Sequence, residues 1–385
     1  ITYNNTSGNT WTAAYTAHTN DTDGAVSFTI SYSDLAGNAG TNVTSVTNAS
    51  SVTFDKTVPT LSGVGIVSNN PTDTLSIVND VITVTFTSSE AIATKVVTFL
   101  SGGDPITNAG AITYNNTSGN TWTAAYTAHT NDTDGVVTYS IVVGDLAGNP
   151  GTAVTTGSGS VTFDNTAPTL TSASITSDNS PATHANPGDV VTVTLAASVA
   201  ISQPVVTFKS GGNAVSDGSI TYAGSGANWT AAYTAGASDT EGAVSFTIAY
   251  SDLAGNAGTN VTSVTNASSV TFDKTAPTLT SASIASDYST NTLASTNDEI
   301  TVTLTASEVI AQPTVTFLSG GNPITNAGAI TYNNTSGNTW TAAYTAHTND
   351  TDGAVSFTIS YSDLAGNTGT NVTSVTNASS VTFDK

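Results

Sequence analysis

The chain has 385 residues, with 27 Asp and Glu against five Lys and no Arg, and its formal net charge is −22. This acidity excludes nucleic acid as a partner, because binding a phosphate backbone requires a basic surface. No apolar run approaches the roughly 18 residues that a membrane-spanning helix needs, and the absence of Cys excludes disulfide cross-links.

A recurring stretch divides the sequence into repeats. Phe-Asp-(Lys/Asn)-Thr-(Val/Ala)-Pro-Thr-Leu begins at Phe54, Phe163 and Phe272, and Phe383 starts a last copy, at spacings of 109, 109 and 111 residues. Proline lacks a backbone donor and favours extended geometry before it, so each copy marks the end of one sheet and the start of the next. A period near 110 exceeds the roughly 20–50 residues of solenoid repeats and matches a whole small domain.

The period predicts three complete domains, at 57–165, 166–274 and 275–385, and a partial domain at 1–56. Residues 1–56 match 330–385 at every position except Ala39, which corresponds to Thr368. The partial domain therefore supplies only the later strands of a repeat. We expect either preceding sequence or another chain to complete it. Ile1 lies in mid-domain, so the lack of a leader segment carries no information.

The strands of one complete domain follow from alternation of apolar and polar residues. In 81–87, Ile82, Val84 and Phe86 alternate with threonines, which is typical of a half-buried strand. The predicted strands of the second domain are, in chain order, 60–68, 81–87, 96–100, 111–114, 122–126, 137–143 and 161–163. Seven short strands without helical periodicity predict an all-β fold of tandem immunoglobulin-like β-sandwiches arranged end to end.

The motifs also carry a family resemblance. The sequence resembles the bacterial Ig-like tandem repeats of giant extracellular adhesins and biofilm-matrix surface proteins, through Phe-Asp-Lys-Thr-Ala-Pro-Thr-Leu (272–279), Ile300–Glu308 and Tyr-Ser-Asp-Leu-Ala-Gly-Asn (361–367). The resemblance covers all four repeats. It implies an extracellular tandem array at the cell surface, often made rigid by calcium.

Acidic residues at the domain junctions are candidate calcium ligands. The seven strands of such a sandwich are lettered A to G in chain order. The last strand of one domain ends beside the B–C and F–G loops of the next domain. Asp55 is then expected to meet Glu90 and Asp145. Calcium takes about six to eight oxygen ligands, and such clustered carboxylates repel one another without a cation.

The same reasoning places Asp273 with Glu308 and Asp363. At the middle junction Asp164 and Asp252 are present, but Ser198 and Val199 replace the Ser-Glu pair. We therefore expect that junction to bind calcium more weakly or not at all. In the alternative interpretation these acids cap turns, and neighbouring lysines offset their charge.

Other motifs have structural interpretations. The aspartate of Asp-Leu-Ala-Gly-Asn (145–149) continues the inward parity of its strand, which favours turn capping. The loop 129–135 lacks EF-hand spacing, and its histidine is Gly236 in the third domain, which favours a solvated loop without metal or catalytic histidine. Trp122 and its counterparts share parity with core residues, which favours packing over sugar stacking.

No catalytic set of residues recurs at fixed positions, so we expect a protein that is not an enzyme. The sequence predicts a structural stalk or fibre segment that acts in adhesion or matrix cohesion. Its partners would be neighbouring domains and other copies of itself. Two alternatives remain: a self-assembling filament subunit completed by strand exchange, and a glycan- or ice-binding module built on Thr-rich sheet faces.

Overall fold

The computed structural model describes residues 1–107, 109–216, 218–325 and 329–385. Within these ranges the chain is built from β-strands, with a short 3-10 helix at Ala109–Ala111 and no α-helix. It forms two compact units. One unit comprises Ile1–Thr166 with Leu253–Asn256, and the other comprises Ala167–Asp252 with Ala257–Lys385. Among the described residues, none forms a helix long and apolar enough to cross a bilayer.

The first unit contains the partial repeat and one complete sandwich. The strands of the partial repeat are β1 (Thr2–Ser7), β2 (Thr10–Ala14), β3 (Gly24–Ala25) and β4 (Thr53–Phe54). The strands of the complete repeat are β5 (Leu61–Ser68), β6 (Leu75–Ser76), β7 (Val81–Ser88), β8 (Ile92–Ser101), β9 (Asp104–Pro105), β10 (Thr113–Ser118), β11 (Thr121–Thr127), β12 (Gly135–Asp145) and β13 (Val161–Phe163).

Two sheets face each other in the complete repeat. One has the strand order β10-β11-β7-β5, and the other has the order β6-β13-β12-β8-β9, with β6 parallel to β13. These are the orders D-E-B-A and A′-G-F-C-C′ of an immunoglobulin-like sandwich. The predicted seven strands are present, and the two-residue strands β6 and β9 are additional. Those two pairings are too short to leave a periodic signal in the sequence.

The second unit contains two sandwiches of the same topology. The first comprises β14 (Leu170–Ser177), β15 (His184–Ala185), β16 (Val190–Ala197), β17 (Val205–Ser210), β18 (Asn213–Ala214), β19 (Thr221–Ser225), β20 (Asn228–Thr234), β21 (Gly242–Ala249) and β22 (Thr271–Phe272). The second comprises β23 (Leu279–Ser286), β24 (Leu293–Ala294), β25 (Glu299–Ala306), β26 (Thr314–Ser319), β27 (Asn322–Pro323), β28 (Thr331–Asn334), β29 (Thr339–Thr345), β30 (Gly353–Ser360) and β31 (Thr382–Phe383). The chain is therefore a tandem series of Ig-like β-sandwiches.

Alternation along the central strands determines which side chains form each core. Ile82, Val84 and Phe86 of β7 are fully buried, while the intervening threonines lie on the outer face. On the facing sheet, Val137 and Ile141 of β12 are buried with the same parity, as the sequence predicts. Removing such side chains from water contributes about 1.5–3 kcal/mol each, which is the main stabilisation of a sandwich without disulfides.

The D–E hairpin differs from the prediction. The sequence predicts strands at 111–114 and 122–126, but β10 and β11 pair from Thr113 to Ser118, where Ser118 faces Thr121. The turn is therefore only two residues long, and Gly119 in it has a φ of 55°, which glycine adopts without steric cost. The Asn and Thr side chains of this exposed edge hairpin do not alternate with apolar residues. The predicted strands are therefore shorter than the observed ones.

A tyrosine from the D strand caps the edge of the C strand in every complete repeat. Its hydroxyl accepts a hydrogen bond from a C-strand amide at 3.0 Å, in the pairs Tyr114–Val97, Tyr222–Val206 and Tyr332–Val315. Open strand edges invite pairing with other chains, and a side chain that occupies an edge amide blocks such pairing.

Candidate junction metal centres

The structure brings the first predicted acidic trio together. Asp55 follows β4, Glu90 follows β7, and Asp145 is the last residue of β12. One carboxylate oxygen from each lies within 4.8 Å of those of the other two, and Asp145 is buried while the others are half-buried. Carboxylates from the end of one repeat and from two loops of the next therefore converge on one point.

Hydrogen bonds fix Asp145 in the trio. Its Oδ1 accepts from the amides of Gly148 at 2.7 Å and Asn149 at 2.9 Å, and its Oδ2 accepts from Asn149 Nδ2 at 2.8 Å. Burial alone would raise the pKa of this carboxyl, but these hydrogen bonds outweigh it, so the pKa lies below the ordinary value. Asp145 is therefore both a turn cap, as predicted, and the member of the trio whose hydrogen bonds favour the charged form.

The same loops hold the linker that carries Asp55. Asn149 Nδ2 also donates to the Asp55 carbonyl at 3.1 Å, and the Thr60 amide donates to Ser89 Oγ at 3.0 Å. Asp55 Oδ1 accepts from the Thr57 amide at 2.9 Å. The linker is thus tied to the F–G loop and to the residue before Glu90. These bonds set the position of Asp55 relative to the other two acids.

The second trio repeats this arrangement inside the other unit. Asp273 follows β22, Glu308 follows β25, and Asp363 lies beyond β30, with carboxylate oxygens again within 4.8 Å of one another. Asn367 Nδ2 donates to Asp363 Oδ2 at 2.8 Å and to the Asp273 carbonyl at 3.0 Å.

An added contact joins the third and fourth repeats beside the second trio. Asn179 Nδ2, in the loop after β14, donates to the carbonyls of Leu364 at 3.2 Å and Ala365 at 3.1 Å. The Asp-Leu-Ala-Gly-Asn loop therefore contacts the preceding repeat at two places. One contact is with the linker and the other is with a loop of the sandwich.

Crowding of like charges changes the acidity of the trios. Burial and then the neighbouring charges of Asp55, Asp145 and Asp23 raise the pKa of Glu90. Burial raises the pKa of Glu308, and Asp273 and Asp363 add to the shift. The two glutamates therefore lose their protons less readily than isolated carboxyls, and a bound cation would offset this penalty.

Burial, followed by Asp363 and Glu241, also raises the pKa of Asp273, although a backbone hydrogen bond from Thr275 opposes the shift. Two of the three members of the second trio thus hold their protons to a higher pH than isolated carboxyls. Asp363 accepts hydrogen bonds from the Asn367 amide at 2.9 Å and from Asn367 Nδ2 at 2.8 Å.

The lysines next to the trios bond elsewhere. Lys56 Nζ donates to the carbonyls of Thr19 and Asp21, and Lys274 Nζ donates to those of Ala237 and Asp239. Each lysine therefore closes the E–F loop of its own repeat. The alternative in which Lys56 or Lys274 offsets the charge of the junction acids stays a prediction.

Two acids near the trios were missed by the sequence reasoning. Asp23 Oδ1 accepts from the Lys56 amide at 3.1 Å, and Glu241 Oε1 accepts from the Lys274 amide at 3.0 Å. Both add to the negative potential on the junction glutamates. The available signal was the acid before glycine in Asp-Thr-Asp-Gly and Asp-Thr-Glu-Gly, which precedes the F strand in every repeat.

The middle junction keeps the linker contact without the third acid. The Thr169 amide donates to Ser198 Oγ at 3.1 Å, as its counterparts do, but the next residue is Val199, which is 47% exposed. Asp252 is buried and bridges Ile201 within the second unit, whereas Asp164 belongs to the first. Weaker calcium binding at this junction stays a prediction.

The E–F loop was predicted to be solvated, and this is wrong for its central acid. Asp132 is 7% exposed, and its carboxylate accepts from the amides of Thr107 at 2.7 Å and His129 at 2.8 Å. Asp239 and Asp350 are buried in the same way in the other complete repeats. The acid is therefore a structural cap between two loops, which spacing along the chain does not reveal.

The tryptophans of the complete repeats belong to the cores. Trp122, Trp229 and Trp340 are partly buried and pack against the core cluster of their repeats. In the second repeat, Lys95 Nζ also lies 3.9 Å from the centre of the Trp122 ring, which is a cation–π contact. This agrees with the core interpretation.

The donor set of the trios consists of oxygens alone. Three carboxylates per trio, without His or Cys, are the ligands that hard cations such as calcium prefer. These residues therefore fit a calcium ion, which would be held by Asp55, Glu90 and Asp145 or by Asp273, Glu308 and Asp363. Carbonyls and water would complete its coordination.

Comparison with solved structures finds other tandem Ig proteins. An I-band fragment of titin is 11% identical and covers 86% of this chain and 100% of its own, with a TM-score of 0.33. The N-terminal eight Ig domains of Down Syndrome Cell Adhesion Molecule are 12% identical and cover 82% of this chain and 42% of their own, with a TM-score of 0.25. A chain in the complex of Dpr2 Ig1-Ig2 with DIP-Theta Ig1-Ig3 is 13% identical. The match covers 85% of this chain and 99% of that one, with a TM-score of 0.26.

No protein-family model and no curated protein matches the sequence. The fold assignment therefore rests on the strand order of the two sheets in each repeat.

Proposed function

We propose that this chain is a structural segment of an extracellular surface protein, in which Ig-like repeats act as a spacer for adhesion or matrix cohesion. The observation that carries the proposal is the acidic trio at two junctions. Each trio combines an acid from the end of one repeat with two acids from the next, within 4.8 Å. A cation held there joins two consecutive repeats, so the trios serve to stiffen the segment.

Three features of the trios support a cation as the ligand. The pKa values of Glu90 and Glu308 are raised by burial and by neighbouring carboxylates, which is an electrostatic penalty that bound calcium removes. The nearby lysines bond to loop carbonyls of their own repeat. Hydrogen bonds to the Asp55 and Asp273 carbonyls also hold the linkers that carry these acids. Binding of a cation therefore requires little further ordering of the chain.

The expected affinity is that of extracellular calcium modules, with a Kd of about 10⁻⁴–10⁻³ M. Calorimetric titration of the chain should show two sites per chain in this range. Glu90→Gln and Glu308→Gln should each remove one site, and the double variant should remove both. A chain that binds no calcium at millimolar concentration contradicts the proposal.

Small-angle scattering tests the mechanical part of the proposal. Chelation should reduce the maximum dimension of the chain, because the junctions lose the ion that fixes them. The Glu90→Gln, Glu308→Gln variant is the matched control, and its scattering should not respond to calcium. Identical profiles of the unaltered chain with and without chelator would show that calcium binding does not stiffen the junctions.

The filament alternative, in which strand exchange completes residues 1–56, stays a prediction, which the mass of the intact polypeptide would test. The glycan- or ice-binding alternative stays a prediction, which a glycan array or an ice-affinity assay on the chain would test.

A further inference from the structure

The charged side chains avoid one broad surface of every complete repeat. Within the described ranges, the A, B, D and E strands of these repeats contain a single charged residue, Glu299, at the first position of β25. The acids that give the chain its net charge of −22 lie almost entirely in loops and at strand ends. The outer face of the D-E-B-A sheet is therefore nearly neutral. This surface is the threonine face of the repeat.

Threonines stand opposite one another on the two central strands of the threonine face. In the second repeat, Thr85 of β7 faces Thr123 of β11, and Thr87 faces Thr121. The corresponding pairs in the other complete repeats are Thr303–Thr341, Thr305–Thr339 and Thr194–Thr230. Neighbouring strands lie about 4.8 Å apart, and residues two apart on one strand are roughly 6.7 Å apart. The hydroxyl and methyl groups therefore form a regular grid.

The hydroxyls of this grid can bond to identical hydroxyls. A threonine hydroxyl has one donor hydrogen and two acceptor positions. Thr87 Oγ1 lies 3.0 Å from Thr121 Oγ1, and Thr305 Oγ1 lies 3.2 Å from Thr339 Oγ1, so such pairing already occurs within one face. A contact between two copies of one surface requires that the surface complement itself. A neutral grid of hydroxyls meets this requirement.

The chemistry of the threonine face disfavours other classes of partner. In the described part of the second repeat, Trp122 and Tyr126 of β11 point toward the core, so neither ring offers a stacking platform to a sugar. Small-molecule sites are concave, whereas the outer face of a sheet is open. A basic protein would be attracted to the acidic loops and not to this neutral surface. A second sheet, by contrast, packs face to face on such a surface at about 10 Å.

We propose that the threonine face of the complete repeats is a contact surface for a second copy of this chain. Two copies repel each other least where neither carries charge, and the threonine faces satisfy that condition. Several repeats of one chain carry the face, so weak contacts reinforce one another once the first has formed. The inference rests on the cohesion part of the proposed function, and it does not require calcium.

The test is sedimentation equilibrium of the full chain in chelator, at protein concentrations up to the millimolar range. The chain should self-associate, and added salt should strengthen the association because salt screens the acidic loops. The variant with Thr85→Glu and Thr303→Glu should associate more than about tenfold more weakly, because the contact brings like charges together.

The matched control carries Thr98→Glu and Thr316→Glu. These threonines lie on the outer face of the other sheet, on strands β8 and β26 of the same two repeats. The control therefore adds the same charge to the same repeats, and it should associate as the parent does. A third variant, with Thr85→Val and Thr303→Val, keeps the strand preference and removes the hydroxyls. It should also associate more weakly than the parent.

A chain that stays monomeric at millimolar concentration overturns the proposal, and binding of that monomer to ice or to a neutral glycan would identify a different occupant. An equal loss of association in the control overturns it as well. So does association that is unchanged in the Glu and Val variants, since the contact would then lie elsewhere. Association in calcium but not in chelator would assign the contact to the junction trios. The calorimetric titration tests the trios separately, because the sedimentation is done without calcium.

Discussion

Asp145→Ala separates the two roles of the junction aspartate. The substitution removes the acceptor of three hydrogen bonds, two from backbone amides and one from Asn149 Nδ2. An unpaired buried donor costs about 1–3 kcal/mol, but Gly148 is exposed and Asn149 is half-buried, so water replaces part of the loss. We therefore expect the free energy of unfolding of the second repeat to fall by about 2–3 kcal/mol in chelator.

The assay is urea denaturation of a chain in which Trp122 is the only tryptophan, since Trp122 packs against the core of that repeat. For a domain of this size the expected loss moves the midpoint by about 1–2 M urea. Restricting the signal to one repeat matters because a multidomain chain has no single unfolding transition.

Glu90→Gln is the control for Asp145→Ala. Glu90 lies in the same trio, but its pKa is raised by burial and by the charges around it, so removing its charge relieves repulsion. In chelator this variant should unfold no more easily than the parent. In 10 mM calcium the parent should gain about 1.4–2.7 kcal/mol for a Kd of 10⁻³–10⁻⁴ M, and both variants should lose that gain. If Asp145→Ala lowers the free energy of unfolding in chelator by less than about 0.5 kcal/mol, the loop hydrogen bonds do not hold this turn.

The remaining predictions concern pH and the strand edges. The pKa values of Asp273 and Glu308 are raised in the folded repeat. In chelator, the free energy of unfolding should therefore fall as the pH rises from the ordinary carboxyl pKa through these raised values, and this loss of stability should disappear at lower pH. Denaturation of a chain with Trp340 alone, between about pH 4 and 7, should therefore show a smaller decline with rising pH in Glu308→Gln than in the parent, and equal slopes would contradict this. Calcium affinity at the second trio should weaken as pH falls toward 5, because protons compete for the same oxygens, which calorimetry at two pH values measures. Tyr332→Phe leaves the Val315 amide without its acceptor, which should cost about 1 kcal/mol and increase self-association in light scattering, whereas unchanged association would show that the tyrosine does not protect the edge.

The sequence by itself determined the repeats, the sheet character and the inward residues. Alternation along β7 and β12 identified the buried parity, because side chains on a strand point to opposite faces with a period of two and only one face meets the core. The junction motif together with the assumed sandwich topology also predicted the six acids of the two trios. Once a sandwich topology is assumed, the end of a last strand and the loops of the next repeat fall at the same place.

Only the tertiary structure decided how those acids are held and what else surrounds them. Asp23 and Glu241 come from an E–F loop more than 30 residues before the linker that they contact, and Asp132 is buried by contacts across two loops. Burial depends on which strands pack over a residue, and such long-range packing is set by the whole sandwich and not by the residues next to it in the chain.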